Sequence, residues 1–122
     1  MRIRPGRPTD AAAVAAVCRA TARLGAPLPR DHPAPWLVSA VYAEPYLALE
    51  PGTARLLLDD EGVVGYAVAA VDSAAFYRRW VREWTPRLSE QVAGLDVAAS
   101  AEVAELARLL VDPRRMLPPG ME

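Results

Sequence analysis

The chain contains no lysine and no asparagine, and among its 122 residues there is one cysteine and one histidine. All 14 basic residues are therefore arginine, and Schiff-base catalysis is excluded. One cysteine and one histidine cannot form a disulfide framework or a Cys/His zinc cluster. No charge sign dominates either. A net charge of −1 excludes the broad positive field of a dedicated nucleic-acid binder. Long apolar runs are missing too, since the longest charge-free one, from His32 to Ala43, falls short of the roughly 20 residues a membrane helix needs. Arg2, Arg4 and Arg7 ahead of the apolar run from Ala11 to Cys18 imitate a signal peptide. Asp10 at its start, Arg19 at its end and the bulk of Val17 argue against one. A cytoplasmic location is expected. No dinucleotide, P-loop, nucleophile-elbow or zincin motif occurs.

What is present describes a globular chain. Apolar residues make up 52% and charged residues 24%, which excludes disorder, and the length suits one domain. The abundance of Ala, Pro, Gly and Arg fits the codon bias of a GC-rich, bacterial genome.

Arg2-Ile3-Arg4 alternates as a short edge strand, closed by Pro5 and Gly6. Pro8-Thr9-Asp10 opens a helix with Val14, Val17, Cys18 and Thr21 on one face, and Leu24-Gly25 ends it. A proline-rich loop follows. From Trp36 to Leu49 the pattern fits a helix or one broken at Pro45. Two runs, from Ala54 to Leu58 and from Val63 to Val71, flank Asp59-Asp60-Glu61-Gly62 as a hairpin. The second is apolar on both faces, like an interior strand, and Gly65 within it predicts a bulge or a close approach. Asp72 and Ser73 cap a helix that gathers Phe76, Tyr77, Trp80, Val81 and Trp84 on one side. Thr85-Pro86 breaks it, and a short continuation runs to Val92. A last helix from Ser100 places Val103, Leu106, Ala107 and Leu110 inward and stops at Asp112-Pro113. Three antiparallel strands with three to four helices make an α+β domain over residues 1–115, with a flexible tail over 116–122.

Candidate site residues are few. Cys18 on an apolar helix face reads as a buried structural thiol. Asp31 and His32 lack a companion nucleophile and read as surface loop. Asp59, Asp60 and Glu61 lack calcium-loop spacing and suit a turn. Arg78, Arg79 and Arg82 face away from the aromatics and read as a solvated face. Asp72 follows a strand, where side chains project into sites, and it equally suits a helix cap.

The order Arg2-Ile3-Arg4-Pro5, Pro8-Thr9-Asp10, Glu44-Pro45-Tyr46, the hairpin Leu56 to Tyr66, Val71-Asp72-Ser73-Ala74-Ala75-Phe76, Trp80 and Trp84-Thr85-Pro86 resembles GNAT-type N-acetyltransferases. It is similar to the acetyltransferase-like domain attached to some O-GlcNAc hydrolases. The resemblance implies acetyl transfer from acetyl-CoA to a small-molecule or peptide amine. In the family, a glycine-rich loop and the helix after it hold the cofactor pyrophosphate. That loop, the strand before it and a later tyrosine acid are missing from this sequence, so the resemblance covers the N-terminal half of a partial GNAT-like fold, inactive alone. Tyr46 and Asp72 would then face the acceptor, with Asp72 attracting an ammonium group or taking its proton through water. Glu44, in a loop before a proline, is the poorer candidate.

The resemblance has a physical consequence. A sheet ending at its third strand leaves an unpaired apolar edge, so a homodimer or a complementing chain is expected along the strand from Val63 to Val71. The alternative is a non-catalytic interaction module that uses this edge for strand addition. No nucleic-acid or membrane partner is expected.

Overall fold

The computed structural model describes residues 1–120. Its sheet has three antiparallel strands, β1 (Arg2–Pro5), β2 (Arg55–Asp59) and β3 (Gly62–Ala67), in that spatial order. Six α-helices accompany it: α1 (Ala11–Thr21), α2 (Pro35–Tyr42), α3 (Glu44–Leu49), α4 (Ser73–Glu83), α5 (Ser89–Ala93) and α6 (Ala101–Val111). The count exceeds the three to four expected because Pro45 divides 36–49 into α2 and α3, and because Thr85–Leu88 is a 3₁₀ turn that separates α5 from α4. No described helix is long and apolar enough to cross a membrane.

The start of the chain is fixed by one carboxylate. Arg4 forks onto both oxygens of Asp10, each at 2.8 Å, and the same carboxylate accepts the Arg7 N–H at 2.9 Å. The turn into α1 is thus tied to β1. Gly6 is required at the crossing, because a Cβ there would lie 2.7 Å from the Ala54 Cβ and 2.9 Å from Leu47. At the far end of α1, Gly25 (φ 92°) returns its N–H to Thr21 and so ends the helix. Thr21 itself is exposed, while Val14, Ala15 and Cys18 carry the buried face.

The hairpin turn uses Asp59 internally, since its carboxylate accepts from the N–H groups of Glu61 and Gly62. Leu57 pairs with Gly65 and Leu58 with Val63, so Val64 is the extra residue of a bulge. The glycine beside it is not closely approached: a Cβ at Gly65 would meet Leu57 at an ordinary 3.6 Å.

The second hairpin strand is shorter than the apolar run suggested, and it is an edge. It ends at Ala67, because side chains capture the backbone beyond that point. Thr53 donates to the Ala69 carbonyl, and the Val71 N–H donates to the Glu50 carboxylate. The central strand is β2, whose Leu56 and Leu58 are buried. Asp72 consequently stands five residues past the strand, as the N-cap of α4, accepting from the Ala75 N–H at 3.1 Å.

Phe76, Tyr77, Trp80 and Trp84 form the buried side of α4, while Val81 on the flank of that arc is exposed. The helix also supplies donors to three other helices at their C-terminal ends, where carbonyls have no intrahelical partner. The Trp80 indole N–H reaches the Leu110 carbonyl of α6 at 2.9 Å, and that of Trp84 reaches Ala40 of α2 at 2.9 Å. Arg79 donates to the Leu49 carbonyl of α3 as well as pairing with Glu83, so it is not part of a purely solvated arginine face. Past α6, Met116 and Leu117 pack against the core. Residues 121 and 122 of the expected flexible tail lie outside the described residues.

The Leu110 carbonyl accepts a second bond, from the Thr85 hydroxyl at 2.7 Å. Trp80→Ala should cost about 3–5 kcal/mol through loss of a fully buried indole. Thr85→Val should cost about 1 kcal/mol, because Trp80 still satisfies the carbonyl. Combining Trp80→Phe with Thr85→Val orphans that carbonyl, so urea unfolding should show the pair exceeding the sum of the singles by about 1 kcal/mol.

Candidate functional site

A cleft of about 450 Å³ lies between the C-terminal part of α1, α2, α6 and the edge strand β3. Cys18 lies on the face of α1 that packs against β3, and Ala22, the residue that caps the helix, lines the cleft beside it. Tyr66 comes from the covered face of β3, in register with Leu56. Burial first, then the neighbouring Cys18 thiol, push the pKa of its phenol above the usual range. Tyr42, at the end of α2, is raised likewise by burial and by the nearby Glu105 and Glu102 carboxylates. Both phenols therefore remain neutral donors at physiological pH.

The rim of the cleft carries an ionic network that loop composition concealed. Sequence placed His32 in a surface loop, yet its side chain is 4% exposed. Its Nδ1 accepts the Ala34 N–H at 3.1 Å, which leaves Nε2 to carry the proton toward Glu102 Oε1 at 2.5 Å. The imidazole is thus a neutral tautomer oriented by backbone. Arg23 holds the other oxygen of Glu102 at 2.6 Å. The His32 hydrogen bond lowers the Glu102 pKa most, burial opposes it to a lesser degree, and Arg23 adds to the lowering. No spacing rule links positions 23, 32 and 102. The one available signal was a polar residue, Glu102, in the first turn of a helix whose other turns are well patterned.

The two residues singled out for an acceptor site lie elsewhere and do not line this cleft. Tyr46 stacks on Phe76 with ring centroids 4.7 Å apart, and burial, with Tyr77 beside it, raises its pKa. Asp72 caps the helix that carries Phe76. Glu44 opens α3.

Acetyl-CoA would require backbone donors for a pyrophosphate, and four of the six helix starts do not provide them. Those of α4 and α6 are already filled by the Asp72 carboxylate and the Ser100 hydroxyl. Those of α2 and α3 contain proline in the first turn. None of these four starts fits that group, and the glycine-rich loop that would hold it is not in the sequence.

No family model matches the chain. Among solved structures, that of SsHAT, an acetyltransferase-like protein, superposes with a TM-score of 0.84 at 32% sequence identity. The match covers 97% of this chain and 59% of the SsHAT chain. The protein therefore has an acetyltransferase-like α+β fold, spanning less than two-thirds of that neighbour's length.

Because its folded pKa is lowered, Glu102 contributes stability that is complete above the unfolded glutamate value of about 4.3 and disappears as pH falls toward the folded value. Asp10, lowered chiefly by its hydrogen bonds with Arg4, acts in the same window. Glu102→Gln should therefore give a shallower acid limb in a plot of urea midpoint against pH, without abolishing it. An unchanged limb would show that the His32–Glu102–Arg23 network contributes nothing to folding.

Proposed function

We propose that the chain is the N-terminal part of a GNAT-type N-acetyltransferase that passes an acetyl group from acetyl-CoA to an amine, and that these residues supply the wall that receives the acceptor. The observation that carries this is the cleft bordered by Tyr66 on an unpaired edge strand, in a fold that superposes over 97% of its length on an acetyltransferase-like protein. A further strand laid along β3 would run beside the cleft and bring the donor to it. Acetyl-CoA would be held by residues outside this span, following it in the same chain or on a second one.

Calorimetric titration tests the division of labour. The folded 122-residue chain should give no saturable heat with acetyl-CoA, and binding should appear once a cofactor-binding segment is joined to it or added in trans. Saturable binding by the chain alone would overturn the proposal.

Tyr46 and Asp72 keep a proposed place on the acceptor side, beside their packing and capping roles. Asp72→Asn separates the two, since asparagine caps a helix about as well as aspartate but carries no charge. In the completed enzyme the acceptor KM should rise several-fold with an unchanged melting temperature. An unchanged KM would leave Asp72 as a cap only.

The free edge of β3 favours a second reading, an interaction module that acts by strand addition. Val64 on that edge is 42% exposed, and Ile3, on the same sheet, is 71% exposed. Either reading predicts concentration-dependent association in sedimentation, reduced by Val64→Lys, because lysine blunts an edge. A monodisperse, cooperatively melting monomer would count against pairing through this strand.

A further inference from the structure

We propose that the cleft beside β3 binds a zwitterionic amino compound, an α-amino acid with an apolar side chain, with Arg23 receiving its carboxylate and Glu102 its ammonium group. As a statement about the acceptor this rests on the acetyltransferase reading; as a statement about binding it does not.

The lining contains one cation and one anion, Arg23 and Glu102. The groups around them add no net charge. His32 is held as a neutral tautomer by the Ala34 N–H, and the two phenols are raised further from ionisation. Glu105, which faces Tyr42 from α6, is paired with Arg108 and Arg115, and Arg19 is turned onto Ser39. A polycation would meet Arg23, and a simple anion would meet Glu102; like-charge contacts of this kind reject partners. A ligand carrying both charges a few ångströms apart matches both.

The pair also has bonding capacity left. Arg23 uses one terminal nitrogen on Glu102 and is 47% exposed, so the rest of its donor fork is free for a carboxylate. Glu102 accepts one bond from Arg23 and one from His32, and at 34% exposure it retains lone pairs toward the cleft. Its carboxylate cannot swing away, because His32 is fixed from behind by backbone. The remaining wall includes Leu28, Val38 and Leu106 beside the two phenols, which suits an aliphatic side chain and adds no further charge.

Three ligands of nearly one shape test the proposal on the chain alone: L-leucine, L-leucinamide (ammonium without carboxylate) and 4-methylpentanoate (carboxylate without ammonium). In NMR titrations followed at amides around residues 18–23 and 66, leucine should bind saturably and each analogue about tenfold more weakly. Arg23→Gln, at the exposed end of α1, should erase the preference for leucine over leucinamide. Glu102→Gln, which keeps a partner for His32, should erase the preference over 4-methylpentanoate. Leucinamide binding as well as leucine would overturn the proposal in favour of a plain amine site, and absence of binding by all three into the tens of millimolar would overturn it outright. Acetyl-CoA binding by the completed protein is a separate readout, so its failure and this one are told apart.

Discussion

Three helices in this fold end on α4. The C-terminal carbonyls of α2, α3 and α6 are left over by helix geometry, and Trp84, Arg79 and Trp80 supply the donors for Ala40, Leu49 and Leu110 in turn. Each bond contributes only about 1 kcal/mol net, but two are buried, where an unmet carbonyl would cost more than a made bond gains. The arrangement therefore works mainly as a constraint on register. α6 cannot slide along α2 without stranding Leu110, and α2 cannot rotate without stranding Ala40. Arg79 adds a positive charge at the negative end of α3, which its dipole favours.

The cleft inherits its shape from that constraint. Its walls on α2 and α6 are fixed relative to each other by indoles on the far side of the core, and its floor is set by α1 packing on β3. The His32–Glu102–Arg23 network then closes the rim by joining the loop after α1 to the first turn of α6. Burying a histidine costs little here, because the Ala34 N–H selects a neutral tautomer and the charge on Glu102 is met by Arg23 near solvent. A protonated imidazole would place Nδ1–H against the Ala34 N–H and lose that bond.

The sequence was legible wherever a face repeats. Phe76, Tyr77, Trp80 and Trp84 on α4, and Val103, Leu106, Ala107 and Leu110 on α6, are buried as their spacing demands. The Asp59–Gly62 turn and the Asp72 cap also follow from local chemistry. What escaped were partnerships between side chains and distant backbone. Nothing in the run after Ala67 says that Thr53 and Glu50 will take its backbone groups, so the strand looked four residues too long. Nothing in a proline-rich loop says that His32 will reach a carboxylate 70 positions away. The cleft was hidden for the same reason, since its charged residues come from three segments with no common period. The acetyltransferase-like fold was visible because it depends on element order, which survives without knowledge of those contacts.

The cleft and the open edge constrain each other. β3 is short because side chains terminate it, and Val64 bulges from it, so the edge offers a partner strand only a limited run of hydrogen bonds. Such a run alone gives modest affinity, and a lasting association must also cover apolar surface. The face of the sheet turned away from α1 supplies it, where the exposed Ile3 of β1 pairs with the half-buried Leu57 of β2. A segment that added a strand to β3 and laid a helix on that face would satisfy both the edge and the exposed Ile3, while leaving the cleft open on its own side of the sheet. On the proposed acetyltransferase reading, the division between donor and acceptor sides would fall along the sheet itself. The ionic rim would then lie on the acceptor side, built by Arg23, His32 and Glu102 of this span.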